Sequence, residues 1–153
     1  LGVPTKLDYG KGTFGPFSAE MGELLTVLAN KNWWVEESLG SMKRLCIQDR
    51  FRKESDAFRE ELAAFEPAIA KTVDLFCRIQ STNQAEEVTT VLYAAREVRA
   101  KTLGDVSEKG VFDYILAWKP KWNTDAGRKA IANAICSLEM LGWIALKQSK
   151  ALA

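Results

Sequence analysis

The sequence predicts a mainly α-helical protein with short β-hairpins, arranged as two winged-helix-like lobes joined by a helical centre. Three observations predict this class. Apolar residues recur at helical spacing through most of the chain, as in Met21, Leu24, Leu25 and Leu28. Small polar residues that can cap helices stand just before these stripes, as at Ser18, Ser107 and Thr124. Finally, the two ends rhyme: a helical stripe runs into a Trp-containing segment from Leu24 to Trp34, and again from Ile131 to Leu146.

The elements follow in order. Leu7-Asp8-Tyr9 reads as a short strand leading into Gly10-Lys11-Gly12, and Gly15-Pro16-Phe17 as a turn. Ser18 caps a helix over about 19–30, with Glu20 in its first turn. Trp33-Trp34-Val35-Glu36 and the stretch from Met42 to Gln48 pair as a hairpin through Leu39-Gly40-Ser41. A helix opening at Ser55 or Asp56 carries Phe58, Leu62 and Phe65. Pro67 suits the first turn of the next helix, whose inward stripe is Ile69, Val73, Phe76 and Ile79. Asn83 with Glu86 has capping-box spacing for a helix ending near Lys101, its inner face Ala85, Val88, Leu92 and Ala95. Ser107 caps a shorter helix with Val111, Phe112, Ile115 and Leu116 inward, stopped by Lys119-Pro120. Thr124 caps the last helix, built on Ile131, Ala134, Ile135, Leu138 and Leu141, and Gly142 ends it. Trp143-Ile144-Ala145-Leu146 is read as a closing strand.

The organisation expected is one domain over 1–153, with an N-terminal helix-plus-hairpin lobe at 1–50, central helices at 51–103 and a C-terminal winged-helix-like lobe at 104–147. The chain starts at Leu1 with no initiator Met, so it reads as a piece cut from a longer protein or as one whose start is missing. Residues 147–153 read as a fraying tail.

With 153 residues, 47% hydrophobic and 27% charged, the composition is that of a folded globular chain. A net charge of +1 excludes a strongly acidic electrostatic decoy and lacks the basic excess usual in nucleic-acid binders. No stretch of about 18 apolar residues exists to span a membrane. Cys46, Cys77 and Cys136 each sit in an apolar pattern and are read as buried, reduced thiols of a cytoplasmic protein.

Catalytic chemistry has little to work with. There is no His, the commonest acid–base group and a frequent metal ligand. The carboxylate pairs Glu36-Glu37, Glu60-Glu61 and Glu86-Glu87 diverge on their elements and read as solvated surface. Gly10-Lys11-Gly12-Thr13-Phe14-Gly15 lacks the spacing and the Lys-Ser/Thr of a phosphate loop. The expectation is a non-enzymatic chain with no cofactor and no metal.

Binding chemistry is better represented. Five Trp are many for this length, and Trp33 and Trp34 point to opposite faces of a strand, so one of them should be partly exposed. Trp118-Lys119-Pro120-Lys121-Trp122 either packs a helix corner or presents an aromatic anchor. The stretch with Asp56, Glu60, Glu61 and Glu66 either imitates phosphates or is an ordinary amphipathic face. The partner-binding candidates are therefore Trp33, Trp34, Trp118, Lys119, Trp122, Glu60 and Glu61. Arg128, Lys129 and Asn133, on the polar face of the last helix, form an alternative nucleic-acid face if the lobe reads DNA as winged helices do.

Several segments, in order, resemble one family. They are Gly2-Val3-Pro4-Thr5, the run from Lys11 to Glu20 containing Phe14-Gly15-Pro16-Phe17, Phe65-Glu66-Pro67-Ala68-Ile69, and Asp74-Leu75-Phe76-Cys77-Arg78. They continue with Gln84-Ala85-Glu86-Glu87, the run from Thr90 to Arg96, Leu116-Ala117-Trp118-Lys119 and Leu141-Gly142-Trp143-Ile144. This set is similar to the C-terminal domain of DarG-type antitoxins of the DarT/DarG toxin–antitoxin system; SocA-like antitoxin domains share a similar Gly-Pro-aromatic turn. The resemblance implies a bacterial antitoxin domain that binds a DarT-like toxin and blocks its DNA site, with DNA mimicry as one suggested means. It also implies an upstream macrodomain that removes ADP-ribose from DNA, which this chain does not contain. The alternatives from the residues are a winged-helix DNA-binding regulator and a SocA-like adaptor antitoxin.

Overall fold

A computed structural model describes residues 5–40 and 42–147. Among them are seven α-helices and two antiparallel hairpins, so the protein is mainly α with short hairpins. The hairpins are β1 (Gly10–Gly12) with β2 (Gly15–Phe17), and β3 (Trp34–Leu39) with β4 (Met42–Ile47). The helices are α1 (Ala19–Asn30), α2 (Asp49–Ala57), α3 (Arg59–Ala63), α4 (Glu66–Cys77), α5 (Thr82–Lys101), α6 (Glu108–Trp118) and α7 (Asp125–Met140), with a 3-10 turn at Pro120–Trp122.

The chain divides into two compact units. One comprises residues 1–9 and 18–77, the other residues 10–17 and 78–153. The division falls at Cys77/Arg78, inside the stretch read from sequence as the central helices, and it assigns the first hairpin to the C-terminal unit.

In the first unit, Ser18 is extended and its Oγ accepts the Met21 N–H at 3.3 Å, as expected of a cap. Asn32, at φ 56°, closes α1: its N–H reaches the Ala29 carbonyl and the Trp33 N–H reaches that of Leu28. That pair of bonds is the Schellman arrangement. The β3–β4 hairpin has the expected place, with Trp34 opposite Ile47 and Glu37 opposite Arg44; Ser41 lies outside the described residues. Arg44 donates to Glu37 at 2.7 Å and holds that carboxyl below its ordinary range.

The next helix begins earlier than the apolar pattern indicated. α2 starts at Asp49, not at Ser55 or Asp56, and runs through Asp-Arg-Phe-Arg-Lys-Glu-Ser-Asp-Ala. Such a segment has almost no apolar stripe to detect. Polar pairs such as Arg50–Glu54, 2.7 Å apart one turn along, support it instead. The helix breaks at Phe58 and restarts as the short α3. α4 takes Pro67 in its first turn as expected, but its predicted inward stripe is largely outward. Ile69, Val73 and Phe76 are about half exposed, and Leu75 is the residue it buries.

The second unit holds nearly all of the described core. Val88, Val91, Ala94 and Ala95 of α5 pack against Val111, Phe112 and Ile115 of α6 and Ile131, Ala134, Ile135 and Leu138 of α7. Alanines at the α5 contact let the neighbouring helices approach closely. The α5 inner face is rotated from the predicted one: Val88 and Ala95 are buried as expected, whereas Ala85 and Leu92 are half-buried and Val91 and Ala94 take their place. Leu116 is also only half-buried, and Leu141 is exposed.

The α5 cap is Ser81, not Asn83. Ser81 Oγ accepts the Gln84 N–H at 3.1 Å and Gln84 Oε1 accepts the Gln80 N–H at 2.8 Å. Ser81/Gln84 has the same spacing as Asn83/Glu86 and the better cap residue type. Glu86 is thereby released from capping. Ser107 and Thr124 cap α6 and α7 as expected, accepting from Gly110 and Gly127 at 3.1 Å each.

α7 ends as α1 does. Gly142 at φ 66° donates to Glu139, and Trp143 donates to Leu138 at 2.8 Å. The rhyme between the chain ends is therefore a shared helix-closing motif followed by Trp. The strands after it are not shared. Trp34 enters a hairpin, whereas Trp143-Ile144-Ala145-Leu146 forms no strand, and only the next residue, Lys147, makes an isolated bridge, to Ser107. Ladder pairing needs a second extended segment, and that bridge is all α6's leading end supplies. The C-terminal half thus has no wing hairpin among the described residues. The expected strand at Leu7–Tyr9 is likewise absent, and Gly15-Pro16-Phe17 is strand β2, the turn falling at Thr13-Phe14.

Candidate functional site

The predicted site residues fall in different units. Trp33, Trp34, Glu60 and Glu61 belong to the first, and Trp118, Lys119, Trp122, Arg128, Lys129 and Asn133 to the second. Trp33 and Trp34 are both half-buried, and Trp33 meets the Phe51 ring edge-on at 5.8 Å. The indole nitrogens of both Trp are buried without a hydrogen-bond partner. Glu60 and Glu61 are exposed on α3, next to the Arg59–Asp56 ion pair at 2.6 Å.

On α7, Arg128 donates to Asn123 Oδ1 at 3.1 Å and lies 5.0 Å over the Phe112 ring, so its guanidinium braces the helix corner. Lys129 and Asn133 are exposed. A recognition helix normally presents its leading residues to base edges; here the first basic residue is exposed but bonded to Asn123 and set over Phe112.

The Trp118–Trp122 corner is where the structure concentrates its chemistry. Lys119 is 8% exposed. Its Nζ donates to Glu86 Oε1 of α5 at 2.5 Å and also to the Thr13 carbonyl oxygen of the β1–β2 turn. The ammonium lies 5.3 Å from the centroids of both the Trp118 and the Trp122 rings. Burying a lysine is costly unless its charge is matched and its N–H groups are satisfied. Here a carboxylate, a carbonyl and two aromatic faces do so together. Glu87, the next residue, has its carboxyl pushed up by burial and then by the charge of Glu86.

The hairpin is held at two further points. Gly15, at φ 114° and buried, lies against α5: a side chain added there would come 3.3 Å from Thr89 Oγ1. Only glycine takes that backbone angle without strain. Lys11 sets its ammonium 4.0 Å over the Tyr114 ring, and Tyr93 packs at 5.3 Å on Trp118. Burial, with help from Glu97 and Tyr114, raises the Tyr93 hydroxyl above its ordinary range.

What this scaffold presents is apolar. Phe14 at the turn is 85% exposed and Phe17 on β2 is 64% exposed. Of the two readings of Trp118, Lys119 and Trp122, corner packing and partner contact, the structure shows the first, with Lys119 buried between the two rings, and the strongly exposed rings nearby are Phe14 and Phe17. The run Phe14-Gly15-Pro16-Phe17 carries part of the family resemblance, but no periodicity in it marks the two exposed rings.

No protein-family model, no curated protein and no solved structure matches this chain. The cysteines differ from expectation: Cys77 and Cys136 are exposed and Cys46 is half-buried, all as free thiols. Cys77 ends α4 next to the outward stripe, and Cys136 lies on the polar face of α7, so neighbouring apolar residues in sequence did not enclose them. Among the described residues, no three His, Cys, Asp or Glu side chains converge as metal ligands would, and no helix is long and apolar enough to cross a membrane.

Proposed function

We propose that this chain is a non-catalytic binding module of the DarG C-terminal type, which neutralises a DarT-like DNA ADP-ribosyltransferase toxin by direct contact. The ordered family resemblance supplies the partner class. The observation that carries the binding role is the buried Lys119, which is committed to holding a hairpin whose two phenylalanines face solvent. A fold rarely buries a cation to support an exposed apolar turn, because both features cost free energy in the isolated chain. A partner that covers the turn offsets that cost. The three free thiols suit a reducing compartment, and we place the module in the bacterial cytoplasm.

Calorimetric titration with a catalytically inactive DarT-like toxin tests the reading. The expected result is a one-to-one complex with Kd below about 1 μM, in the range of specific protein pairs. No heat and no co-elution at micromolar concentrations of both proteins overturns it.

A further inference from the structure

We infer that the β1–β2 hairpin is the docking element: Phe14 at its tip enters an apolar pocket of the toxin rimmed by acidic groups, Phe17 at the open end of the hairpin adds exposed apolar surface, and Lys119 is the positioning residue that sets the hairpin for this step. The inference rests on the function proposed above and names the surface that reading leaves open.

Shape comes first. The hairpin is short, and its pairing of Lys11 with Pro16 and Gly12 with Gly15 leaves Thr13 and Phe14 at the tip. Thr13 is the residue whose carbonyl oxygen Lys119 holds. The Phe14 ring therefore projects from a backbone anchored one residue away. A contact group held in place before binding loses less entropy on association. An aromatic side chain that fills a desolvated pocket of the partner is a frequent interface hot spot.

Charge sets the partner's chemistry. Residues 10–17 contain one lysine and no acidic residue, and Lys121 is exposed in the adjoining 3-10 turn. Lys119 adds no net field, because Glu86 matches it. A positive, apolar tip fits an apolar pocket with an acidic rim. It does not fit a cationic groove.

A nucleic-acid strand is the other macromolecule that stacks on exposed aromatics, but it needs cations along its backbone. Lys101 and Lys109 are engaged with Glu97 and Asp113. Within the hairpin and the adjoining 3-10 turn the exposed lysines are Lys11 and Lys121, too few to follow a strand, and the observations favour a protein.

The test is calorimetric titration of the inactive DarT-like toxin with wild type, Phe14→Ala, Phe17→Ala, Lys11→Glu, Lys119→Met and the F14A/K119M double variant, with an oligo-dT strand as a parallel probe. Phe14→Ala is expected to bind about thirtyfold more weakly with an unchanged melting temperature, as befits an exposed hot-spot residue. Lys11→Glu should weaken binding, and added salt should narrow its difference from wild type. If Lys119 acts through the hairpin, the double variant binds no more weakly than Phe14→Ala alone, a non-additivity that general destabilisation does not produce. Should Lys119→Met fail to fold, Glu86→Gln replaces it in the same cycle. Wild-type affinity in Phe14→Ala, strict additivity, or tight oligo-dT binding lost in Phe14→Ala would each overturn the inference while leaving toxin binding intact. No wild-type complex overturns both this inference and the proposed function.

Discussion

Replacing Lys119 by Met removes the charge and its hydrogen bonds while keeping most of the side-chain volume. In the native structure the ammonium is shared between Glu86 Oε1 at 2.5 Å and the Thr13 carbonyl, with the two side chains 9% and 19% exposed. The variant leaves a mostly buried carboxylate without its cation and a turn carbonyl without its donor. Breaking one side of a buried pair costs about 3–5 kcal/mol. Glu86 retains some access to water, so the lower end applies, about 3 kcal/mol. In a unit of about 80 residues each kcal/mol moves the melting point by about 4–8 °C, so a fall of more than about 10 °C is expected. Thermal unfolding followed by circular dichroism provides the measurement. Glu86→Leu added to Lys119→Met should recover most of the loss, because removing both charges together ends the desolvation penalty. A fall of less than about 1 kcal/mol in the single variant, or no recovery in the double, would refute the idea that this ion pair locks the hairpin to the helix corner.

Three further outcomes are expected. In Gly127→Ala the new methyl would sit 2.3 Å from the Trp122 carbonyl oxygen, which is backbone, so the α7 start must shift; a loss above about 2 kcal/mol in denaturant unfolding is expected, and wild-type stability would contradict it. Ser81→Ala should cost about 1 kcal/mol in the same assay and Asn83→Ala almost nothing, the reverse of what an Asn83 cap requires. Glu87→Gln should stabilise the protein slightly at neutral pH. A carboxyl whose pKa is raised by folding binds its proton more tightly in the native state, so ionising it above the ordinary carboxylate range lowers stability, and below that range the variant and wild type should melt alike. A melting-point difference that persists in acid would show that the effect is not electrostatic.

Much of the fold was legible along the chain, and the reasons are local. Ser18, Ser107 and Thr124 are caps in the structure because a hydroxyl three residues before a free N–H needs no tertiary help to find it. The β3–β4 hairpin and α7 were legible from alternation and a clean apolar stripe. α2 was not, because its nine residues are held by polar pairs and carry one large apolar residue, so hydrophobic spacing had no signal to offer. The Asn83/Glu86 box failed through competition: two equivalent spacings overlapped, and the better cap took the helix start.

The site was legible in part. The sequence drew attention to Trp118, Lys119 and Trp122 as a cluster and left open whether they pack a helix corner or present an anchor; the structure buries Lys119 in the corner, a choice that side-chain type alone does not make. The pairing of Lys119 with Glu86 spans 33 positions and that with Thr13 spans 106, distances over which no local pattern operates. The outward stripe of α4 is a similar case: spacing showed that Ile69, Val73 and Phe76 share a face, but not whether that face would be covered.

The sequence by itself determined where α1, α6 and α7 start, the apolar stripe of α7, and that no histidine is present, because these depend on residue type and on spacing within a turn or two. The tertiary structure alone decided which faces are buried, that Glu86 is freed from capping to meet Lys119, and that Phe14 and Phe17 face solvent. Those outcomes depend on segments far apart in the chain competing for the same partner. A buried ammonium must find every compensating group at once, and only the assembled fold brings a carboxylate from α5, a carbonyl from the first hairpin and two indole rings to one point.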